Sequence, residues 1–360
     1  MKRIAILGAY GTVGREALQH LYSTGDYELY GLVRQPERVK EDPFFDAMPD
    51  VRWERLDITE NERLTDAICG MDVVLNTVSC SGKYSRKIAE LCAERNTAYV
   101  DAGIPDNIGD LSGQSDKTLL YGAGALPGLS SVLGVYAAQG FDTVSGYQHI
   151  ASIHGAFSYG AAYDYLRGVS GEYGGHPVKK TELPLLGCTE IMQYTDDETH
   201  YVLQKIGCPD GKHYVTLGSR KLYATIERAV LRFESDPEGA ARELVTYSQL
   251  YRVRSQEHMA FIIEVQGTTE QGIQQTRTLL MKYDSAAALT GLSSGLSTEI
   301  AANASQPIGV CSLTHFPDDP LYAKEMPRIL RAIDENRHKV VFETCACSIN
   351  EWMQESEGEI

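Results

Sequence analysis

Residues 3–14, RIAILGAYGTVG, constrain this chain more than any other stretch. Arg3 to Leu7 alternates and then runs apolar, as a buried parallel strand does, and Gly8, Gly11 and Gly14 follow before the helical pattern Arg15–Tyr22. Gly8 can take backbone angles closed to other residues, Gly11 lets a phosphate approach the main chain, and Gly14 lets the helix pack on the strand. With Tyr10 beside them, the amides of Gly11, Thr12 and Val13 are expected to face a pyrophosphate at the positive end of the helix dipole. A three-glycine pattern between a strand and a helix predicts a dinucleotide-binding turn.

The segments that follow repeat the strand-helix alternation of a doubly wound parallel sheet. Tyr27–Val33 reads as a second strand, and its end is where NAD-selective proteins offer an acid to the ribose hydroxyls. Here the sequence is Gly31-Leu32-Val33-Arg34, with Arg38 close behind. A guanidinium fork suits a 2′-phosphate, so NADP(H) is the expected cofactor. Val51–Leu56 is a third strand, with Asp57 and Ile58 placed to flank the adenine. Met71–Val78 is a fourth, whose tip puts Thr77, Val78, Ser79 and Cys80 beside the nicotinamide half. Only Lys83 is near enough in sequence to lower the pKa of Cys80, so a passive thiol is expected there. The fifth strand, Ala98–Asp101, carries Asp101 at its tip; that carboxylate could meet substrate or a proton, or cap the loop 102–108. Thr118–Gly122 completes the series.

At 360 residues the chain has room for two domains. A formal net charge of −16 without a basic run argues against a nucleic-acid partner. The eight cysteines form no C-x-x-C pair and the first residues read as a strand, which predicts free thiols, a cytoplasmic setting and no structural metal. The longest uncharged run, Thr118–Phe141, is broken by Pro127 and several glycines; it reads as strand, turn and buried helix, not as a membrane span.

GAYGTVG, then GKYSRKIAELCAERNTAYVDAG, then YGAGALPGLSSVLGVYAA together resemble the saccharopine dehydrogenase and reductase family. The third block is similar to that family's Pro-Gly segment, here Pro127 and Gly128, where the chain leaves the nucleotide domain. Saccharopine reductases proper show an aspartate before that pair; this chain has Leu126, so the resemblance is to the family and not to that enzyme. Farther on, Ser158-Tyr159-Gly160-Ala161-Ala162 is similar to a helix start in the family's second domain, and TGLSSGLSTEIAANASQPIGV to its late helix and glycine turn. The resemblance implies an α/β protein: an N-terminal Rossmann doubly wound parallel sheet binding NADP(H), and an inserted α/β substrate domain. The expected divisions are 1–125 for the nucleotide domain, 126–312 for the substrate and dimerisation domain, and 313–360 for a segment returning to the first.

In the second half, Thr143–Ile153 reads as a strand. Tyr201–Ile206 and His213–Leu217 read as a hairpin around Pro209-Asp210-Gly211, and Phe261–Gly267 as another strand. Glu238–Tyr251, Gln271–Lys282 and the run from Asp318-Asp319-Pro320 to Ile333 read as helices. His154, Tyr159 and Tyr163 are the candidate catalytic groups here, beside Asp101 in the first half; a packing role is open for each. A short-chain dehydrogenase would use a tyrosine and a lysine four residues on along one helix face. Tyr201 and Lys205 have that spacing, inside the expected hairpin. The leading expectation is an NADP(H)-dependent oxidoreductase that reduces an imine formed from an amino compound and a carbonyl compound, or runs in reverse. Its substrate would be a small molecule, an amino acid or amine derivative, and the protein a homodimer with no membrane partner. The alternatives are a carbonyl or alkene reductase and a non-catalytic NADP-binding sensor.

Overall fold

The computed structural model describes residues 1–79, 82–169, 178–251, 257–304, 306–335 and 340–357. The chain divides into two compact units, Met1–Leu129 with Ala287–Ile329, and Ser130–Ala286 with Leu330–Ile360. The first crossing falls close to the expected 125/126. The return comes at Ala287 where the sequence places it at 313, and the last segment goes back to the second unit.

In chain order the first unit contributes β1 (Lys2–Leu7), α1 (Thr12–Thr24), β2 (Tyr27–Val33), β3 (Arg52–Arg55), α2 (Asn61–Ile68), β4 (Val73–Asn76), α3 (Gly82–Glu94), β5 (Ala98–Asp101) and β6 (Leu119–Tyr121). Next come α4 (Leu129–Ala137), β7 (Phe141–His154), α5 (Tyr159–Val169), β8 (Lys179–Leu183), β9 (Gly187–Gln193) and α6 (Asp197–Lys205). The second unit continues with β10 (Lys212–Thr216), α7 (Arg220–Phe233), α8 (Pro237–Tyr251), β11 (His258–Thr269) and β12 (Gln274–Tyr283). The chain ends with α9 (Ala286–Asn303), β13 (Val310–Ser312), α10 (Leu321–Glu335), β14 (Val340–Cys345) and α11 (Ile349–Glu357).

The first sheet has the order β13-β6-β5-β4-β1-β2-β3, and its pairs are parallel. Its inner order is that of a doubly wound nucleotide-binding sheet, which places ligands beyond the carboxyl ends of the strands. Ile4, Ala5, Ile6 and Leu7 of β1 are fully buried, as a central strand covered on both faces requires. The late helix α9 belongs to this unit and is buried almost all round. Ser293 and Ser294 donate to the carbonyls of Gly124 and Ala123, both at 2.9 Å. A Cβ at Gly291 would come within 2.5 Å of the Val13 carbonyl oxygen, so that glycine lets α9 approach α1 closely. Leu289, Leu292, Leu296 and Ile300 are buried along α9, each worth about 1.5–3 kcal/mol of burial.

The second sheet is mixed, with the order β14-β12-β11-β7-β10-β9-β8. One face carries a core formed with α5, α7 and α8, including Leu166, Ile226, Phe233 and Leu244. Ile150, Ile191, Ile262 and Leu280 form a second cluster with Ile349 of α11, against which Trp352 also packs.

Two sequence expectations fail in this unit. Tyr201–Ile206 is not a strand: α6 runs through it, started by a capping box in which Asp196 accepts from the Thr199 amide at 2.8 Å and Thr199 Oγ1 accepts from the Asp196 amide at 2.9 Å. The β-branched and aromatic residues there suggested a strand, and the cap overrides that preference. Tyr201 and Lys205 are therefore one helical turn apart after all. Gln271–Lys282 is not a helix: after a turn at Gly272, β12 pairs antiparallel with β11 over ten residue pairs, from Met259↔Tyr283 to Thr268↔Gln274. Its threonines at 276 and 278 fit a pleated strand, and partner pairing decides what local propensity left open. Among the described residues no helix is long and apolar enough to cross a membrane.

Candidate functional site

Gly8 and Gly14 stand in the turn as the sequence predicts. Gly8 has φ +79°, a conformation that side chains disfavour, and a Cβ at Gly14 would overlap the Gly8 carbonyl oxygen and fall 2.8 Å from Ala9 Cα. Gly11 differs: a Cβ there meets only the Gly8 oxygen at 3.2 Å, so the protein does not need a glycine at this point as strictly as at Gly14. Gly11 is the N-cap of α1, makes no side-chain cap, and the first turn holds no acid. Its own amide donates to the Gly8 carbonyl at 2.8 Å, against the expectation that it faces a pyrophosphate, and the amides of Thr12 and Val13 in the first turn are left for an anion.

Around this turn the structure builds a wall that the sequence reading did not foresee. Tyr10 stacks on Phe45 with ring centroids 5.7 Å apart, and the Arg15 and Arg38 guanidinium groups lie 5.4 and 5.2 Å from the Tyr10 centroid. Arg15 is tied to Asp42 at 2.8 Å. The Phe44 amide and Arg15 beside Asp42 hold its carboxyl below the usual range. Asp42 before Pro43-Phe44-Phe45 was the available signal, an acid accepting from the amide two residues on at 3.1 Å. Arg34 and Arg38 are exposed, and among the described residues neither has a carboxylate within ion-pair distance. Asp57 turns onto its own loop, accepting from the Thr59 amide at 3.0 Å and hydroxyl at 2.8 Å; those bonds, with lesser help from Arg34 and Arg55, lower its pKa. Ile58 beside it is half-buried.

At the tip of β4, Thr77 Oγ1 donates to the Leu7 carbonyl at 2.7 Å and so buttresses the glycine turn. Val78 packs against the first unit's core, and Ser79 is exposed. Cys80 lies outside the described residues. Asp101 is buried at the tip of β5. It accepts from Asn76 Nδ2 at 3.1 Å, from the Gly103 amide at 2.8 Å and from the Tyr99 hydroxyl. Burial raises its pKa against the lowering effect of those donors. Of the two roles open to Asp101, the hydrogen bond from Gly103 is that of a loop cap.

In the second unit His154 ends β7, stacks on His258 at 4.4 Å between ring centroids and lines a cavity of about 560 Å³. Burial first, then His258 and Lys282, push its pKa down to about 4, so the ring is neutral at pH 7. Tyr159 and Tyr163 are not among the lining residues of that cavity. They pack on the helical layer, Tyr163 edge-on to Phe233 at 5.3 Å and Tyr159 under Arg242 at 5.5 Å. Ser158 precedes α5 and accepts from the Ala161 amide at 3.2 Å. Among the described residues no group of three or more His, Cys, Asp or Glu is arranged to hold a metal ion.

A parallel sheet of this order with an uncapped glycine turn after its first strand defines a Rossmann nucleotide-binding unit. The profile of the saccharopine dehydrogenase NADP binding domain matches residues 4–121. The first unit carries such a domain, with NADP(H) as its cofactor. Apo saccharopine dehydrogenase (L-Glu forming) from Saccharomyces cerevisiae has the same fold, with a TM-score of 0.67 over 96% of this chain and 100% of that one at 12% identity. A substituted meso-dapdh from Clostridium tetani aligns with a TM-score of 0.45 and 14% identity over 92% of this chain and 99% of its own. A Rossmann-fold NAD(P)-binding family protein from Shigella flexneri aligns over 34% of this chain and 66% of its own, with a TM-score of 0.27 and 18% identity. No curated protein matches the chain in sequence.

Proposed function

We propose that the protein is an NADP(H)-dependent oxidoreductase acting on a C–N bond, reducing an imine formed between an amino compound and a carbonyl compound or oxidising the corresponding secondary amine. The observation that carries this reading is the NADP binding domain at residues 4–121, in a chain whose fold is that of a saccharopine dehydrogenase along almost its whole length. The dinucleotide supplies the hydride when bound. The Gly11 amide closes the turn onto the Gly8 carbonyl at 2.8 Å, so the amides of Thr12 and Val13 would hold the pyrophosphate, and Arg34 with Arg38 the 2′-phosphate. Asp57 and Ile58 would border the adenine, and Val78, Ser79 and Cys80 the nicotinamide half. Asp101 acts as a positioning residue that fixes the loop after β5.

Of the four side chains considered for substrate or proton contact, His154 has its ring on a cavity wall, and we assign it the substrate contact. Neutral above about pH 4, it would donate or accept a hydrogen bond and not serve as an acid. The test is NADPH oxidation by the purified protein across a panel of amines paired with oxo acids. Turnover of a pair, lowered tenfold or more by His154→Ala at unchanged NADPH affinity, is the expected result. Turnover confined to carbonyl or alkene substrates would overturn the C–N assignment, and NADPH binding without any turnover would favour a sensor.

A further inference from the structure

Three arginines stand around the glycine turn, and the structure commits them differently. Arg15 is tied to Asp42 at 2.8 Å, so its charge is answered within the protein. The bonds from Thr59 hold the Asp57 carboxyl low and Arg34, just past the end of β2, adds to that effect, so part of its charge is answered too. Arg38 is exposed, has no carboxylate within ion-pair distance among the described residues, and holds its guanidinium over the Tyr10 ring, 5.2 Å from the centroid. The ring is itself fixed. Tyr10 stacks on Phe45, which is buried and meets Trp53 edge-on at 4.9 Å. Trp53 lies over Gly31 of β2, where a Cβ would come within 2.5 Å of the indole. A run of contacts therefore leads from β2 out to one free guanidinium.

We infer that Tyr10 is a positioning residue for Arg38, and that this stacked pair, separately from Arg34, sets the choice of NADP(H) over NAD(H). The two dinucleotides differ in one group, a 2′-phosphate in place of a hydroxyl on the adenosine ribose, so selectivity comes from groups that engage that phosphate. An exposed arginine samples many rotamers and gives up that freedom when it binds. Stacking against an aromatic face removes part of this cost beforehand. It occupies only the face of the guanidinium and leaves the in-plane N–H groups to fork onto a phosphate. Arg15 is no substitute, because its fork is already turned to Asp42. The inference rests on NADP(H) as the cofactor and not on C–N chemistry; it is read from binding without turnover, so either reading can fail alone.

NADPH and NADH are titrated by fluorescence against the full-length protein and its variants, and the ratio of the two dissociation constants is followed. Arg38→Ala should reduce the preference for NADPH by about tenfold or more, as loss of a charge-assisted hydrogen bond to phosphate does. Tyr10→Leu should reduce it about fivefold, the scale of an exposed cation–π contact and the ordering it provides. Tyr10→Phe, which keeps the ring, should hold the parent ratio. The double variant Tyr10→Leu/Arg38→Ala should fall no further than Arg38→Ala alone, because the ring acts through the guanidinium, whereas the losses from Tyr10→Leu and Arg34→Ala should multiply. Arg38 is exposed, so Arg38→Ala keeps the fold and tests the pair even where Tyr10→Leu does not fold. An unchanged ratio in Arg38→Ala, equal losses of both cofactors in Tyr10→Leu, a Tyr10→Phe ratio as low as that of Tyr10→Leu, or a double variant in which the two losses multiply would overturn the inference.

Discussion

Asn76 and Asp101 end neighbouring strands in register, and the Asn76 amide donates to the Asp101 carboxylate at 3.1 Å. Two strand tips of the nucleotide-binding sheet are thereby tied together. Asn76 also donates toward Ser85 Oγ and the Tyr99 hydroxyl, both at 3.2 Å, and its carbonyl oxygen accepts from the Val78 amide at 3.1 Å. The amide and the carboxylate link β4, α3 and the loop that borders the expected nicotinamide position.

Replacing Asp101 by Asn would leave an NH2 group facing either the Gly103 amide or the donors of Asn76 and Tyr99. Asp101→Asn is expected to cost about 1–3 kcal/mol of stability, measured by urea unfolding. A variant as stable as the parent would show that the carboxylate does not hold this junction together.

The glycine turn separates cofactor binding from folding. Gly11→Asp should lose NADPH at a smaller cost in melting temperature than Gly14→Ala, because a Cβ at Gly11 meets only the Gly8 oxygen, at 3.2 Å, while a carboxylate at the helix start would repel a pyrophosphate. Gly14→Ala should lower the melting temperature, because its Cβ falls on the backbone of Gly8 and Ala9. Calorimetric melting and NADPH fluorescence on both variants check the pair of outcomes.

Arg34→Ala is expected to weaken NADPH by about 1.5–3 kcal/mol, the range for a hydrogen bond to a charged group, and to leave NADH nearly unchanged. Equal losses for the two cofactors would make Arg34 a structural residue.

Three histidines of the second unit predict acid sensitivity. Burial pushes His149 down to about 3 and His213 well below the ordinary 6.5, and it takes His154 to about 4. Each binds a proton more readily when unfolded, so the stability they contribute is complete above about pH 6.5 and lost as pH falls from there toward 4. For the deeply buried His149 and His213 the loss is about 1.4 kcal/mol per pH unit each. The melting temperature should fall across that window, and less steeply in His149→Gln.

The limits of β2 and β5 are those read from the sequence, because each is a short apolar run bounded by turn residues. Local pattern failed at β12 and α6, where antiparallel pairing with β11 and the Asp196–Thr199 capping box decide the outcome. The three glycines were legible because their spacing is contiguous. The wall of Phe45, Trp53 and Arg38 beside Tyr10 was not, since only the fold of the first unit gathers it at the glycine turn.

The interleaving of the two units has a consequence for biogenesis. Lys2 reaches the Ala302 carbonyl, β6 pairs with β13, and β12 pairs with β14, so each unit is closed by a segment made after most of the other. On the ribosome the nucleotide sheet must wait, with the edge of β6 unpaired, until residues 310–312 emerge. A nascent chain released before that point would expose a strand edge and the face meant for α9. Chaperone demand should therefore peak late in synthesis, not after the first domain-sized length of chain.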